Sequence, residues 1–235
     1  MSEPVLKIPE GWEERAPEGW EWQTLWDAVE TGDHEYTHAR VEEAIAADID
    51  PRVILDDGLF PGFNIQGDRF TEQIIFIPEM LITARAMKAG LALIRPLLAA
   101  NAVKPVGTFV MGTVLGDMHD IEQSIVTIML ENAGFNVINL GTDVHPDKFI
   151  ETAEAEKADL VGFSALLSTT VYYQQVTIDE FQKAGHRDKV HILVGGAPTT
   201  QDWADQCGAD GWGVDAVQAV RLALDLVEKP REAWA

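Results

Sequence analysis

An aspartate and a histidine stand two residues apart in the segment GDMHDIEQS, residues 116–124, after the apolar run TFVMGTVL. A histidine ring nitrogen is a common metal ligand, and the partner of the other nitrogen determines which one is available. Asp117 can accept the proton of one ring nitrogen of His119 and so leave the second nitrogen for a metal. Because an isolated Asp-x-His pair is a weak signal, a solvated or capping histidine is the alternative interpretation.

Short apolar runs alternate with segments of helical length in the second half of the chain. The strand-like runs are VGTFVMGTVLG, FNVINLG, ADLVGFSALLS, VHILVGGAP and the weaker GADGW. Helical patterns lie at 119–133, 146–157, 169–185, 200–207 and 214–228. This alternation is typical of a parallel sheet with helices on both faces. It predicts an α/β, flavodoxin-like (Rossmann-like) domain with five strands in the order 2-1-3-4-5.

Residues whose side chains or backbone could contact a ligand follow the first, third and fourth of these strands. They are Asp117, His119, Ser164, Leu166, Gly195 and Gly196. Ligands of open α/β sheets bind at the carboxyl ends of the strands, where the strand order reverses, and strands one and three flank that point. We therefore expect these residues to line one cleft. Taken singly, the two glycines also suit an ordinary tight turn, and Ser164 suits a helix cap.

The first half of the chain has a helical pattern instead. Residues 1–24 are rich in Pro, Gly, Glu and Trp and are interpreted as an N-terminal arm. Residues 25–103 predict an all-α cap domain of four helices, and residues 104–235 form the α/β domain. We expect the third cap helix to be broken by Gly58, Pro61, Gly62 and Gly67.

Composition narrows the classes of partner. The chain has 17 basic and 39 acidic side chains, a formal net charge of −22. Nucleic acids and anionic membranes bind basic surfaces, so we expect neither as a partner. The single cysteine, Cys207, excludes an intrachain disulfide framework and favours a reducing, cytoplasmic location. The sequence also lacks the run of about 18 apolar residues that a membrane helix needs.

Three motifs together resemble a known signature. DMHDIE, SAL and GG are similar to the D-x-H-x-x-G, S-x-L and G-G motifs of cobalamin-binding domains, with 41 residues between Glu122 and Ser164 and 28 between Leu166 and Gly195. The resemblance continues in IPEMLITARAMKAGLALIRPLL and covers about residues 25–230. The two-part layout resembles the corrinoid proteins of methanol, methylamine and O-demethylase methyltransferase systems.

The resemblance implies that cobalamin binds with its own base displaced and with His119 as the lower axial ligand of cobalt. Asp117 would orient His119, and the helical cap would cover the upper face of the cofactor. Phe76, Met80 and Leu81 could line that face or belong to the core of the helical bundle. The residues implied to bind the cofactor are Asp117, Met118, His119, Asp120, Ile121, Glu122, Ser164, Leu166, Ser168, Thr169, Gly195, Gly196 and Ala197.

The implied function is that of a carrier without catalytic residues of its own. It would shuttle a methyl group from a substrate:corrinoid methyltransferase to a second methyltransferase acting on an acceptor such as tetrahydrofolate, with a reductive activator as a further partner. The alternative is a cobalamin-binding regulatory protein, or a non-catalytic binding protein that has lost cobalamin. The small subunit of an adenosylcobalamin mutase is disfavoured because such domains generally lack the cap.

One motif position departs from the family pattern. Glu122 stands where the motif has glycine, and Gln123 stands where lysine is common. Helical spacing predicts that Glu122 lies near the centre of the buried face of the helix 121–133, where the cofactor's tail would pass. The cleft could be wider, the binding weaker, or the preferred tail different; Glu122 could also face solvent if the helix started later. We favour the wider cleft and predict that Glu122→Gly raises cobalamin affinity.

Overall fold

A computed structural model of the chain divides it into two compact units, Met1–Lys104 and Pro105–Ala235. The structure describes residues 20–100 and 105–234. Most of the predicted arm, including Trp12, lies outside the described residues. Trp22, at the end of that arm, is buried and directly precedes the first helix.

The described part of the first unit is helical, as predicted. Its elements are α1 (Gln23–Thr31), α2 (His34–Ala46), α3 (Pro51–Val53), a π-helical segment (Ile54–Leu59), α4 (Phe60–Thr71) and α5 (Ile77–Ala100). The side chain of Asp33 accepts a hydrogen bond from the backbone N–H of Tyr36 and so caps α2. The chain leaves α1 through Gly32 at a left-handed φ of 77°.

The predicted break of the third helix at Gly58, Pro61, Gly62 and Gly67 is wrong, because α3, the π-helical segment and α4 follow one another without interruption. Pro61 has no N–H to donate to the carbonyl of Asp57, four residues earlier. The indole Nε1–H of Trp26 donates to that carbonyl instead, at 2.6 Å. A residue from α1 thus donates to a carbonyl that Pro61 cannot serve, and the helix continues.

Two of these glycines allow α1 to approach closely. A Cβ atom on Gly58 would lie 2.7 Å from the ring of Trp22, and one on Gly62 would lie 2.6 Å from the carbonyl oxygen of Trp26. Both distances are shorter than a van der Waals contact. Gly58 and Gly62, which were expected to break the helix, therefore serve helix-to-helix packing.

The second unit is the predicted parallel α/β domain. Its strands are β1 (Thr108–Thr113), β2 (Asn136–Asn139), β3 (Leu160–Ser164), β4 (His191–Gly195) and β5 (Gly211–Gly213). Its helices are α6 (Ile121–Asn132), α7 (Pro146–Glu156), α8 (Tyr172–Lys183), α9 (Gln201–Cys207) and α10 (Ala216–Val227). All strand pairs are parallel, and the order β2-β1-β3-β4-β5 confirms the flavodoxin-like prediction. Strand order therefore reverses between β1 and β3, at the expected point.

Aromatic side chains fill the space between the sheet and the helices α7 and α8. Phe149, Phe163 and Phe181 are almost completely buried, and the rings of the first two meet edge to face at 4.9 Å between centroids. Such contacts hold the strands firmly, so their carboxyl ends form a rigid base for the loops that follow. Among the described residues, every helix is too short or too polar to cross a membrane.

Candidate functional site

Strand register brings the ends of the central strands level with one another. Thr113 pairs with Ser164, which pairs with Gly195, which pairs with Gly213. The carboxyl edge of the sheet thus contains, in one row, three of the strand ends at which sequence analysis placed a cleft. The loop that carries Asp117 and His119 begins immediately beyond this row.

Asp117 lies at the centre of the site and is completely buried. One carboxylate oxygen accepts from His119 Nδ1 at 2.8 Å and from the His119 backbone N–H at 3.2 Å. The other accepts from the Leu166 backbone N–H at 2.8 Å and from Thr170 Oγ1 at 2.6 Å. Burial alone raises the pKa of Asp117, but the hydrogen bonds from Thr170, Leu166 and His119 together hold the pKa well below its ordinary value of 3.8. The carboxylate is therefore ionised.

The ionised carboxylate determines which nitrogen of His119 carries the proton. Since Asp117 can only accept, Nδ1 is the donor of the 2.8 Å bond, and Nε2 keeps its lone pair. The His119 side chain is 44% exposed, so this lone pair is accessible. Thr113 Oγ1 donates to the His119 carbonyl at 2.9 Å and fixes the backbone below the ring. The imidazole is oriented to offer one nitrogen to a metal.

Sequence analysis missed Thr170. This residue is 5% exposed, and its hydroxyl donates to Asp117 across 53 positions of sequence. The run STT, which opens the loop before α8, is the available signal, because hydroxyl residues near a helix start often hydrogen-bond locally. Its link to Asp117 depends on the sheet bringing the loops after β1 and β3 together.

The two glycines close the end of β4 against β3. Gly196 has a φ of 122°, and a Cβ there would lie 1.8 Å from the carbonyl oxygen of Ala165, so only glycine fits. Buried Gln174 donates to the carbonyls of Phe163 and Gly195 at 2.9 and 3.0 Å and joins the two strand ends. Gly195 and Gly196 thus have a structural role in the strand-to-helix turn, and their contact with a cofactor stays a prediction.

The remaining predicted site residues lie around the same edge. Ser164 and Leu166 are half-buried, whereas Met118, Asp120, Ile121, Ser168, Thr169 and Ala197 are exposed. The edge also carries large exposed apolar side chains, at 42% to 70% exposure: Met118, Ile121, Leu167, Tyr172 and Val214. Within the described part of the chain, one hydrogen-bond network joins Asp117, His119 and Leu166 of the predicted set; the binding roles of the others stay predictions.

The expectation that Glu122 lies at the centre of the buried face of α6 is wrong. Helix α6 begins at Ile121, and both Ile121 and Glu122 are exposed. Gln123 is the buried residue of this turn, at 2% exposure, and its Nε2 donates to Asn139 Oδ1 on β2 at 2.6 Å. This amide pair sets the rotation of the helix, so Glu122 is turned out of the core although the helix starts where it was predicted to start.

The donor set fits the cobalamin that the resemblance implies. His119 presents a single nitrogen beside the exposed apolar side chains of Met118 and Ile121. A metal that takes one protein nitrogen needs further ligands, which cobalamin supplies from its own ring around the cobalt. Exposed apolar groups suit the faces of such a ring, and an oriented imidazole suits its axial position.

Comparison with protein families matches both units. Residues 107–221 match a family described as B12 binding domain, and residues 22–95 match a second family with the same description. Each match falls within one structural unit. The two motif-bearing regions identified in the sequence are therefore both characteristic of B12-binding proteins.

Individual proteins are similar over most of the chain. The dimethylamine corrinoid protein of Methanosarcina barkeri is 41% identical over 87% of this chain and 96% of its own length. Trimethylamine corrinoid protein 1 of Methanosarcina acetivorans is 40% identical over 84% and 94%. A chain in the crystal structure of the methanol:cobalamin methyltransferase complex of M. barkeri is 28% identical, with a TM-score of 0.78 over 98% of this chain and 88% of that one. This chain therefore belongs to the cobalamin-binding corrinoid proteins of methyltransferase systems.

Proposed function

We propose that the chain is a methyl carrier, which receives a methyl group from one methyltransferase and delivers it through a second. The observation that carries the proposal is the Asp117–His119 pair, in which Nδ1 is held at 2.8 Å by a buried carboxylate and Nε2 is left open. Bound cobalamin supplies a cobalt centre that takes up and releases methyl groups. The protein's part is to hold this centre and to modulate it from below.

Each residue of the network has a defined part in that task. His119 would bind the cobalt of the cofactor through Nε2, and Asp117 would keep the Nδ1 proton in place. Thr170 and the Leu166 backbone N–H donate to Asp117 and keep it ionised. An ionised Asp117 makes the imidazole a stronger donor, because the negative charge stabilises positive charge on the ring. Protonation of the pair would weaken this hold, because a proton competes with a metal for the lone pair of Nε2.

The names of the similar proteins support a methyltransferase as partner. One similar chain comes from a methanol:cobalamin methyltransferase complex, and others are dimethylamine and trimethylamine corrinoid proteins. We extend this to a substrate:corrinoid methyltransferase as donor enzyme, a second methyltransferase with an acceptor such as tetrahydrofolate, and a reductive activator.

The decisive experiment is methyl transfer to the reconstituted protein. The chain is loaded with hydroxocobalamin, reduced, and incubated separately with the methanol-, dimethylamine- and trimethylamine-specific methyltransferases and their substrates. We expect one pair to convert the absorption spectrum of the reduced cofactor into that of the methylated form. The methylated protein, once isolated, should then lose its methyl group to a methylcorrinoid:acceptor methyltransferase.

The alternative is a cobalamin-binding regulatory or non-catalytic binding protein. It would gain support if the protein bound cobalamin through His119 but accepted methyl groups from none of the enzymes. Failure to bind cobalamin at all would overturn both the carrier and the cobalamin-binding regulator, and would leave the non-catalytic binding protein that has lost cobalamin. The spectrum of the loaded protein, recorded before any enzyme is added, separates these two outcomes.

A further inference from the structure

Asp143 lies beside the turn that carries Asp117. It belongs to the loop between β2 and α7. The next residue, Val144, forms a parallel bridge with Val114, so the two segments stay paired beyond the ends of β1 and β2. This bridge places Asp143 next to the turn that leads into Asp117.

Two hydrogen bonds join Asp143 to that turn in opposite directions. Its carboxylate Oδ1 accepts from the backbone N–H of Gly116 at 2.7 Å. Its own backbone N–H donates to the carbonyl oxygen of Asp117 at 2.9 Å. The backbone of Asp117 is thus held by the loop after β2, while its side chain is held by Leu166 and Thr170 from the loop after β3.

The backbone of Asp143 is unusual in a way that its position in the chain does not explain. The non-glycine residues with positive φ in the described ranges are Asp48, Gln73, Asp143 and Lys157. Asp48, Gln73 and Lys157 stand at or just after the ends of α2, α4 and α7, where left-handed residues are common. Asp143, at φ 54°, precedes α7 by three residues and has no such reason. The left-handed conformation coincides instead with the two bonds to the His119 turn.

We propose that Asp143 is a positioning residue, which holds the 116–117 turn so that Asp117 meets His119 Nδ1 and Nε2 faces the cofactor. The proposal deepens the proposed function and rests on His119 as the metal ligand. Asp143 acts through the turn and not through contact with the cobalt. Without the Asp143 carboxylate, the Gly116 N–H loses its partner, and Asp143 holds the turn only through its backbone N–H on the Asp117 carbonyl.

Three substitutions separate the side-chain acceptor from the backbone conformation. Asp143→Asn keeps an acceptor oxygen and tolerates the left-handed region. Asp143→Gly keeps the conformation but removes the acceptor. Asp143→Ala removes the acceptor and disfavours the conformation. Asp159→Ala is the matched control, because Asp159 also accepts a backbone N–H, that of Thr108, at the same 2.7 Å but just before β3, at the opposite edge of the sheet.

The first readout needs no cofactor. ¹⁵N-histidine NMR of the full chain, above the pH range in which histidines titrate, reports which ring nitrogen carries the proton, and His119→Ala assigns the signal among the six histidines. We expect His119 to be protonated on Nδ1 in the wild type, in Asp143→Asn and in Asp159→Ala. In Asp143→Gly and Asp143→Ala, the ratio of the Nδ1–H to the Nε2–H tautomer should fall about threefold to tenfold, the effect of one weakened hydrogen bond.

A wild-type tautomer ratio in both Asp143→Gly and Asp143→Ala would overturn the proposal. So would an equal loss in Asp143→Asn, since charge and not the acceptor would then matter. If Asp143→Ala does not fold, Asp143→Gly still gives the answer. The second readout, nitrogen splitting in the EPR spectrum of the Co(II)-cobalamin-loaded protein, tests His119 ligation separately. Ligation in the wild type with unchanged tautomers would overturn only the positioning role, and changed tautomers without cobalamin binding would overturn only the proposed function.

Discussion

Two histidines at opposite edges of the same sheet have very different surroundings. His119 follows β1 at the carboxyl edge, where Asp117 engages Nδ1 and Nε2 is left open on a side chain 44% exposed. His191 begins β4 at the amino edge and is 4% exposed. Its Nδ1 accepts from Arg231 Nε at 3.0 Å, and its Nε2 lies 3.1 Å from the Lys229 carbonyl oxygen. Only the first histidine has a nitrogen to give to a metal.

The amino edge shows what a structural histidine requires. Asp210 pairs with Arg231 and, at 3.0 Å, with Arg187, so the arginine that donates to His191 is itself held in place. Burial lowers the pKa of His191, which keeps the ring neutral as both hydrogen bonds demand. A pocket of about 180 Å³ opens beside this histidine. A cavity next to a histidine is therefore a poorer guide to ligation than the occupancy of its two nitrogens.

The strongest test of the comparison is loss of the metal ligand. His119→Ala should abolish the histidine-ligated absorption spectrum of the hydroxocobalamin-loaded protein, because no other nitrogen is oriented at that position by Asp117. His191→Gln, whose amide can both donate and accept, should keep the spectrum of the wild type. A histidine-ligated spectrum that survived His119→Ala, or that was lost in His191→Gln, would contradict the assignment.

The two carboxylates should differ next most strongly. Asp117→Ala leaves the Leu166 N–H and the Thr170 hydroxyl without their buried acceptor, at a cost of about 2–4 kcal/mol in the free energy of unfolding. Asp210→Ala breaks ion pairs in which the side chains are 14% to 24% exposed and removes the acceptor of the Ile192 N–H. It should cost about 1–2 kcal/mol, less than Asp117→Ala, because the partly exposed arginines can rehydrate. Urea unfolding of the cofactor-free chain measures both. A larger loss in Asp210→Ala would reverse the ranking.

His191 and Asp117, at the two edges of the sheet, should make the free energy of unfolding depend on pH in different ranges. The folded-state pKa of His191 is lowered, so the unfolded chain takes up a proton first as pH falls below the ordinary value of 6.5. We expect stability to be lost as pH falls through this value, and a smaller loss in His191→Gln. The pKa of Asp117 is also lowered, so its contribution is fully present above 3.8 and declines only as pH falls further. Urea unfolding at a series of pH values, in the wild type, His191→Gln and Asp117→Ala, resolves the two pH ranges.

Glu122 is expected to have the smallest effect. Its exposed carboxylate stands in the first turn of α6, three residues from His119, where it would repel the phosphate of the cofactor's tail. Glu122→Gly should raise cobalamin affinity about threefold in equilibrium titration, the scale of one exposed charge. Glu122→Gln keeps the volume and removes the charge, so a gain confined to the glycine variant would point to space. Unchanged or reduced affinity in both would end the idea that this residue restrains binding.

Much of the architecture was predictable because it depends on local pattern. The change from helical spacing to short apolar runs near residue 106 predicted the α/β domain, and five strand-and-helix units predicted the observed strand order. The Asp117–His119 pair was also predictable, because two residues so close in sequence need only a turn to meet. The rotation of α6 was not, since the Gln123–Asn139 bond that sets it joins residues 16 positions apart.

The sequence by itself determined the class of fold, the edge of the sheet at which to look and the histidine able to bind a metal. Only the tertiary structure decided what holds that histidine in place. Thr170 and Asp143 contact the 116–117 turn from loops 53 and 27 positions away in sequence. Trp26 donates to the Asp57 carbonyl across 31 positions. The first two bonds depend on which loops the parallel sheet brings together, and the third depends on the packing of α1 against the π-helical segment. The local periodicity of a sequence indicates burial and secondary structure, but it does not indicate a hydrogen-bond partner that lies far away in the sequence.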